Sequence, residues 1–234
     1  MTPDAPLVDL FSSGLSTFSW SAGQRACYRI PSLLRLNNGT LLALVSERLV
    51  GPKGGCGDES PSNIILRRSD NDGATWGSAA LVMAAGPRNL ERSAWAIEDA
   101  QSGTIFAFSN ANVNSTVGCS CEVDVTSSSD RGRSWSVPRT LPPSTGVYGS
   151  GLASGFTHRQ SGRLIGCMRK ICRNSCPADY RSKAFYSDDR GASWTASSWL
   201  ASGTTECQIA ELSDGRLCAP PTPLPTSSQA PARH

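Results

Sequence analysis

An all-β fold is what this 234-residue sequence predicts, and three observations carry the prediction. No segment holds a long 3.6-residue apolar period; short runs of β-branched and apolar residues alternate instead with Gly, Asn, Asp and Ser turns. An octet recurs three times, as Ser69-Asp-Asn-Asp-Gly-Ala-Thr-Trp76, Ser128-Ser-Asp-Arg-Gly-Arg-Ser-Trp135 and Ser187-Asp-Asp-Arg-Gly-Ala-Ser-Trp194, with its tryptophans 59 residues apart both times. Apolar strands entered from a glycine turn recur alongside it, with Gly103-Thr-Ile-Phe-Ala-Phe108 and Gly162-Arg-Leu-Ile-Gly166 again 59 residues apart. A period of that length with several strands per unit predicts a β-propeller, whose blades bury their faces only against one another.

Taken in order, the first element is a hairpin. Ile30, Leu33, Leu34 and Leu36 form one apolar run, Asn37-Asn38-Gly39 is a turn signal, and Leu41 to Val45 form a second run. Arg29 and Arg48 then fall at the same end of the sheet, at the start of one strand and the end of the next. Each octet has the chemistry of a tight turn: the acid accepts from the turn's own amides, glycine takes a left-handed conformation, and tryptophan is expected to close over the blade's apolar side. In the first octet Asn71 stands where the others have Asp130 and Asp189, and asparagine can cap the same turn. Gly39, Gly103 and Gly162 each open an inner strand, and Gly215-Arg-Leu-Cys218 begins that element a fourth time. Residues 1–218 read as a partial propeller. The Pro-rich stretch 219–234 reads as a disordered tail that cannot form a paired interior strand.

Composition narrows the function. A hydrophobic fraction of 38% supports an ordinary core, and the formal charge of +3 comes without a basic block or stripe, which argues against nucleic acid. No run is long enough for a transmembrane helix or for the apolar core of a signal peptide, so the expected address is cytoplasmic, with peripheral membrane or lysosomal association left open. The nine cysteines are irregularly spaced, and with only His158 and His234 beside them buried free thiols are expected rather than a metal site. A Cys172–Cys176 disulfide belongs only to an oxidising compartment.

At Tyr28-Arg29-Ile30-Pro31, at the three octets and at Glu206-Cys-Gln-Ile-Ala-Glu211 the sequence resembles the sialidase (neuraminidase) family, with its F/Y-R-I-P motif, its Asp boxes (BNR repeats) and the segment of its catalytic glutamate. The resemblance covers roughly residues 7–218, leans towards the animal-type members, and implies a six-bladed propeller of which about three to four blades are present. It implies an exo-α-sialidase that releases terminal α-linked sialic acids from glycoproteins, glycolipids or oligosaccharides with retention, by way of a tyrosine nucleophile. No metal or organic cofactor is implied, and the partner is a sialylated glycan such as a glycoprotein or ganglioside.

Residue by residue, Arg29 matches the first arginine of the triad that binds the substrate carboxylate. Arg48 resembles the arginine near the sugar's O4 and carboxylate, with a Glu47–Arg48 surface pair as the competing reading. Asp58, or its neighbour Glu59, matches the acid/base aspartate. Glu206 matches the glutamate that takes the tyrosine's proton, while Glu211 is its fallback and is expected to face solvent. In the family the remaining triad arginines and the nucleophile lie in later blades. Arg216 and Arg233 lack the strand context, and Tyr28, Tyr148, Tyr180 and Tyr186 all precede Glu206. The alternative is therefore a catalytically inactive propeller fragment that binds sialylated glycans or a partner chain.

Overall fold

A computed structural model of the chain describes residues 9–16, 18, 23–50, 56–57, 60–85, 95–111, 122–146, 155–169, 181–205, 207–218 and 222–223. Among them are antiparallel strands and a single short 3₁₀ turn at Pro143–Thr145. The first sheet is a meander of β1 (Gly14–Leu15), β2 (Arg25–Arg35), β3 (Leu41–Leu49), β4 (Ser62–Ser69) and β5 (Ala80–Met83), paired in that order. The second runs β6 (Trp95–Glu98), β7 (Ile105–Ala111), β8 (Glu122–Ser128) and β9 (Arg139–Thr140). The third repeats it with β10 (Phe156–Thr157), β11 (Leu164–Arg169), β12 (Ser182–Ser187) and β13 (Thr195–Ala196).

Beyond it lie β14 (Thr204–Thr205), β15 (Ala210–Glu211), β16 (Leu217–Cys218) and β17 (Thr222–Pro223), where β15 pairs with β16 and β14 with β17. Two residues of the Pro-rich stretch thus join a ladder. It is a two-residue edge pairing, the place in a sheet where proline is tolerated.

The sheets stack face to face, as strands with two apolar faces require. Leu42, Leu44, Ile64 and Leu66 of the first sheet pack on Ala96, Ile105 and Ala107 of the second. Trp95, Phe106, Phe108 and Val125 of the second pack on Leu164, Met168 and Phe185 of the third, and Ile165 and Cys167 of the third pack on Cys207 and Ile209. At the turn end, polar links join neighbours: the Asn37 amide donates to Glu98 Oε2 at 2.8 Å, and Thr157 Oγ1 donates to the Glu98 carbonyl.

The octets behave as turns, each for a stated reason. Ser69, Ser128 and Ser187 accept through Oγ from Gly73, Gly132 and Gly191 at 2.9, 2.9 and 2.7 Å. Asn71, Asp130 and Asp189 accept through Oδ1 from the amides of Thr75, Ser134 and Ser193 at 2.9, 2.9 and 2.8 Å, so asparagine does cap the first turn. The backbone turns left-handed at Asp72, Arg131 and Arg190 and again at the following glycine.

Two of the tryptophans also reach a neighbouring sheet. Trp135 packs on the cluster shared by the first and second sheets, and Trp194 is buried against Phe106 and Phe108 of the second and Phe185 of its own. Each reaches back to the preceding sheet, because the turn that carries it lies over that neighbour: a methyl group at Gly132 would meet Leu42, and one at Gly191 would meet Phe106.

Candidate active site

Arg29 lies on β2 immediately before a bulge. It stands opposite Ser46, and the register then jumps to Ser32 opposite Leu44, so Ile30 and Pro31 face the single residue Val45. Ile30 has φ 55°, a left-handed conformation that a β-branched residue adopts only under strain. Pro31 suits a bulge, where no ladder amide is needed. The result is an exposed arginine at a bulge inside β2, not at the strand's start as the sequence suggested, because the ladder continues back to Ala26 opposite Leu49.

Arg48 stands opposite Cys27 and is fully buried, and its Nη1 donates to the Cys56 carbonyl at 3.0 Å. Glu47 is also fully buried, and adjacent strand residues point to opposite faces, so the two do not form the surface pair that was the competing reading. Glu47 accepts instead from Asn63 Nδ2 at 2.7 Å, with the Tyr28 hydroxyl at 3.5 Å. Burial, then the charge of Glu47, pushes the Tyr28 phenol above its ordinary value. Asn63 completes this cluster by accepting from the Ala85 amide at 2.7 Å.

Asp58, Glu59 and Glu206 lie outside the described residues. What flanks them is described. Cys56, two residues before Asp58, is disulfide-bonded to Cys27, two residues before Arg29, with Cα atoms 6.2 Å apart. Cys207, next to Glu206, is disulfide-bonded to Cys167 of β11, with Cα atoms 6.1 Å apart. The expectation of free buried thiols is corrected at these four positions; Cys172 and Cys176 lie outside the described residues. Spacings of 29 and 40 residues carry no pairing signal of their own.

Glu211 does not face solvent. Its side chain is 8% exposed and accepts from the backbone amide and Nε of Arg159, both at 3.1 Å, because β15 docks against the turn after β10. His158 belongs to the same contact: Nε2 donates to the Gly215 carbonyl at 3.0 Å, which leaves Nδ1 to accept from Ser161 at 2.7 Å. Arg216 precedes β16 and pairs with Asp214 at 2.8 Å.

A stack of antiparallel meanders, each carrying a Ser-Asp/Asn-Gly-Trp turn between its last two strands, defines a class, that of proteins built from BNR repeats. Residues 47–219 match the BNR repeat-like domain family. The chain belongs to the sialidase family with BNR repeats. It is 30% identical over 213 residues to a sialidase of Micromonospora viridifaciens, covering 81% of this chain and 32% of the relative. It is 31% identical to Sialidase-4 of Homo sapiens, covering 87% and 48%. The chain thus spans about a third to about half the length of these curated relatives. Among solved structures, a Hadza microbial sialidase has a TM-score of 0.66 at 23% identity, over 83% of this chain and 42% of its own. A Trypanosoma rangeli sialidase in complex with 2,3-difluorosialic acid has 0.67 at 17%, over 92% and 38%. These structures share the fold. Among the described residues no helix is long and apolar enough to cross a membrane.

Proposed function

We propose that this chain contributes about three to four blades of a six-bladed exo-α-sialidase propeller, an enzyme that releases terminal α-linked sialic acid with retention from glycoproteins, gangliosides or oligosaccharides. The observation that carries the reading is Arg29: an exposed guanidinium at a strained bulge, two residues from Cys27, whose disulfide partner Cys56 precedes Asp58 by two residues. In this reading Arg29 meets both oxygens of the substrate carboxylate through its planar fork, with Arg48 behind it. Asp58 protonates the leaving oxygen and later takes a proton from the attacking water. Glu206 accepts the proton of a tyrosine hydroxyl as that oxygen attacks the anomeric carbon, and returns it when the enzyme–sugar bond is hydrolysed. A neutral nucleophile suits a carbon that already bears a carboxylate.

The test is hydrolysis of a fluorogenic sialoside by the purified 234-residue chain. Release above buffer, lost in Asp58→Ala, supports the reading; release equal to buffer sinks it for this chain. One observation favours a second reading, binding without turnover: all four tyrosines precede Glu206, whereas the family's nucleophile follows its glutamate. Saturable sialoside binding with no free sialic acid released would establish that reading instead.

A further inference from the structure

We propose that the Cys27–Cys56 disulfide is a thiol-addressable clamp which, with Arg48 as a positioning residue, holds the loop after β3 against the Arg29 end of the hairpin. Two holds converge on one residue. The side chain of Cys56 is bonded to Cys27, and its carbonyl accepts from Arg48 Nη1 at 3.0 Å. Cys27 and Arg48 are cross-strand partners, so both holds come from one face of the β2–β3 hairpin. The loop's feet are fixed as well, by Leu49 donating to the Pro61 carbonyl at 2.9 Å and Val50 donating to the Arg25 carbonyl at 2.8 Å. In the sequence, Asp58 follows Cys56 by two residues.

The two disulfides differ in access. Cys27 and Cys56 are half-buried, whereas Cys167 and Cys207 are 1% and 2% exposed inside an apolar cluster. Thiol–disulfide exchange needs a thiolate to reach a sulfur, so a small dithiol meets the first bridge and is kept from the second. In the step, one thiolate of the dithiol attacks a sulfur of the bridge, breaking the protein S–S bond and forming a mixed disulfide. Its second thiolate displaces the protein sulfur, leaving a cyclic disulfide and two protein thiols; two electrons and two protons pass to the protein. Arg48 then holds Cys56 alone.

The activity consequence rests on the sialidase reading; the clamp does not. Dithiothreitol is titrated onto the oxidised chain, free thiols are alkylated and mapped, and amide exchange is followed by mass spectrometry. Cys27 and Cys56 are expected to become alkylated at least about tenfold faster than Cys167 and Cys207, with exchange across residues 56–61 rising about tenfold while β7 stays protected. Equal rates, or unchanged exchange across 56–61, overturn the proposal. In the oxidised chain Arg48→Met raises the same exchange, and Arg48→Lys, which keeps a donor, restores protection; no rescue by lysine removes Arg48 from the clamp. Should Arg48→Met lose β7 protection, Cys56→Ser must reproduce the reduced pattern without reductant, and failure to do so also overturns the proposal. Sialoside affinity on the same samples separates the two readings. Affinity that falls on reduction supports both, whereas no affinity in the oxidised chain counts against the sialidase reading and leaves exchange to decide the clamp.

Discussion

Trp194 stands edge-on to Phe106, ring centroids 5.7 Å apart and planes at 75°, so the third octet's tryptophan is seated in the sheet that precedes its own. Phe108 closes the other side at 4.9 Å and 89°. Trp194→Ala empties this socket and is expected to destabilise the fold by about 3–5 kcal/mol, read as a shift of the urea midpoint. Gly191→Ala should also destabilise, since its φ of 85° and the nearby Phe106 ring both oppose a methyl group. A loss below about 1 kcal/mol for Trp194→Ala would contradict the seating.

The octet acids give an acid-side signature. The hydroxyl of Ser134, then its amide, holds Asp130 well below the usual carboxylate range, and Ser193 does the same for Asp189. A depressed folded value means stability that is present above the unfolded carboxylate value of about 3.9 and lost as pH falls through the folded value. Asp130→Asn combined with Asp189→Asn should flatten the fall in melting temperature below about pH 4. At neutral pH the loss is modest, because Asn71 caps the first octet. An unchanged slope would show that these turns do not couple to folding.

Lys183 gives the alkaline counterpart. It lies buried on β12, donates to the Gly146 carbonyl and sits 4.0 Å from the Trp199 ring centroid; burial pushes its ammonium down to about 8. The unfolded chain, with a value near 10.4, then binds more protons between the two, so stability should rise from about pH 8 to pH 10. Lys183→Met removes that rise, measurable by thermal melts across the interval. A wild-type curve that falls as steeply as the variant's would refute the assignment.

Asn63 holds a buried carboxylate. Its Nδ2 donates to Glu47 and its Oδ1 accepts from Ala85, both at 2.7 Å. Asn63→Ala removes both bonds beside a fully buried acid and should cost about 3 kcal/mol. The companion change Glu47→Gln, which keeps the shape, should cost less. Equilibrium unfolding of the two variants checks the order.

Arg29 separates binding from folding. Because it is exposed, Arg29→Met should leave the melting temperature within about a degree while reducing sialoside affinity by roughly tenfold to a hundredfold, the loss of a charge-assisted contact of about 1.5–3 kcal/mol. A titration that gives wild-type affinity would remove it from the site.

Turn chemistry made the fold readable. Ser, an acid or Asn, Gly and Trp are each demanded by an octet's backbone, so the 59-residue period survived in plain view, and the glycines at 39, 103, 162 and 215 do open strands. The β2–β3 hairpin was readable for the same reason, but β2 begins at Arg25, so Arg29 lies inside the strand rather than at its start, while Arg48 is near the end of β3. Packing direction was not readable. A period gives the spacing of Trp135 and Trp194 but not which neighbour they face, since both sides of a sheet are apolar. At the site, alternation along β3 could have separated Glu47 from Arg48. The left-handed Ile30 could not have been read, because a β-branched residue argues against that conformation and only the surrounding sheet enforces it. Nor could the disulfide partners, for pairing depends on which strands become neighbours.

The seating of Trp135 and Trp194 against the sheet before their own has a consequence for how such a chain can change length. The covalent repeat and the cohesive unit are out of phase: one socket is built by one repeat and filled by the next. An insertion or deletion shorter than a repeat leaves either an aromatic ring in water or a vacant socket. Whole repeats of 59 residues are therefore the smallest length change that keeps every ring matched to a socket, which favours growth or loss by duplication and excision of complete units.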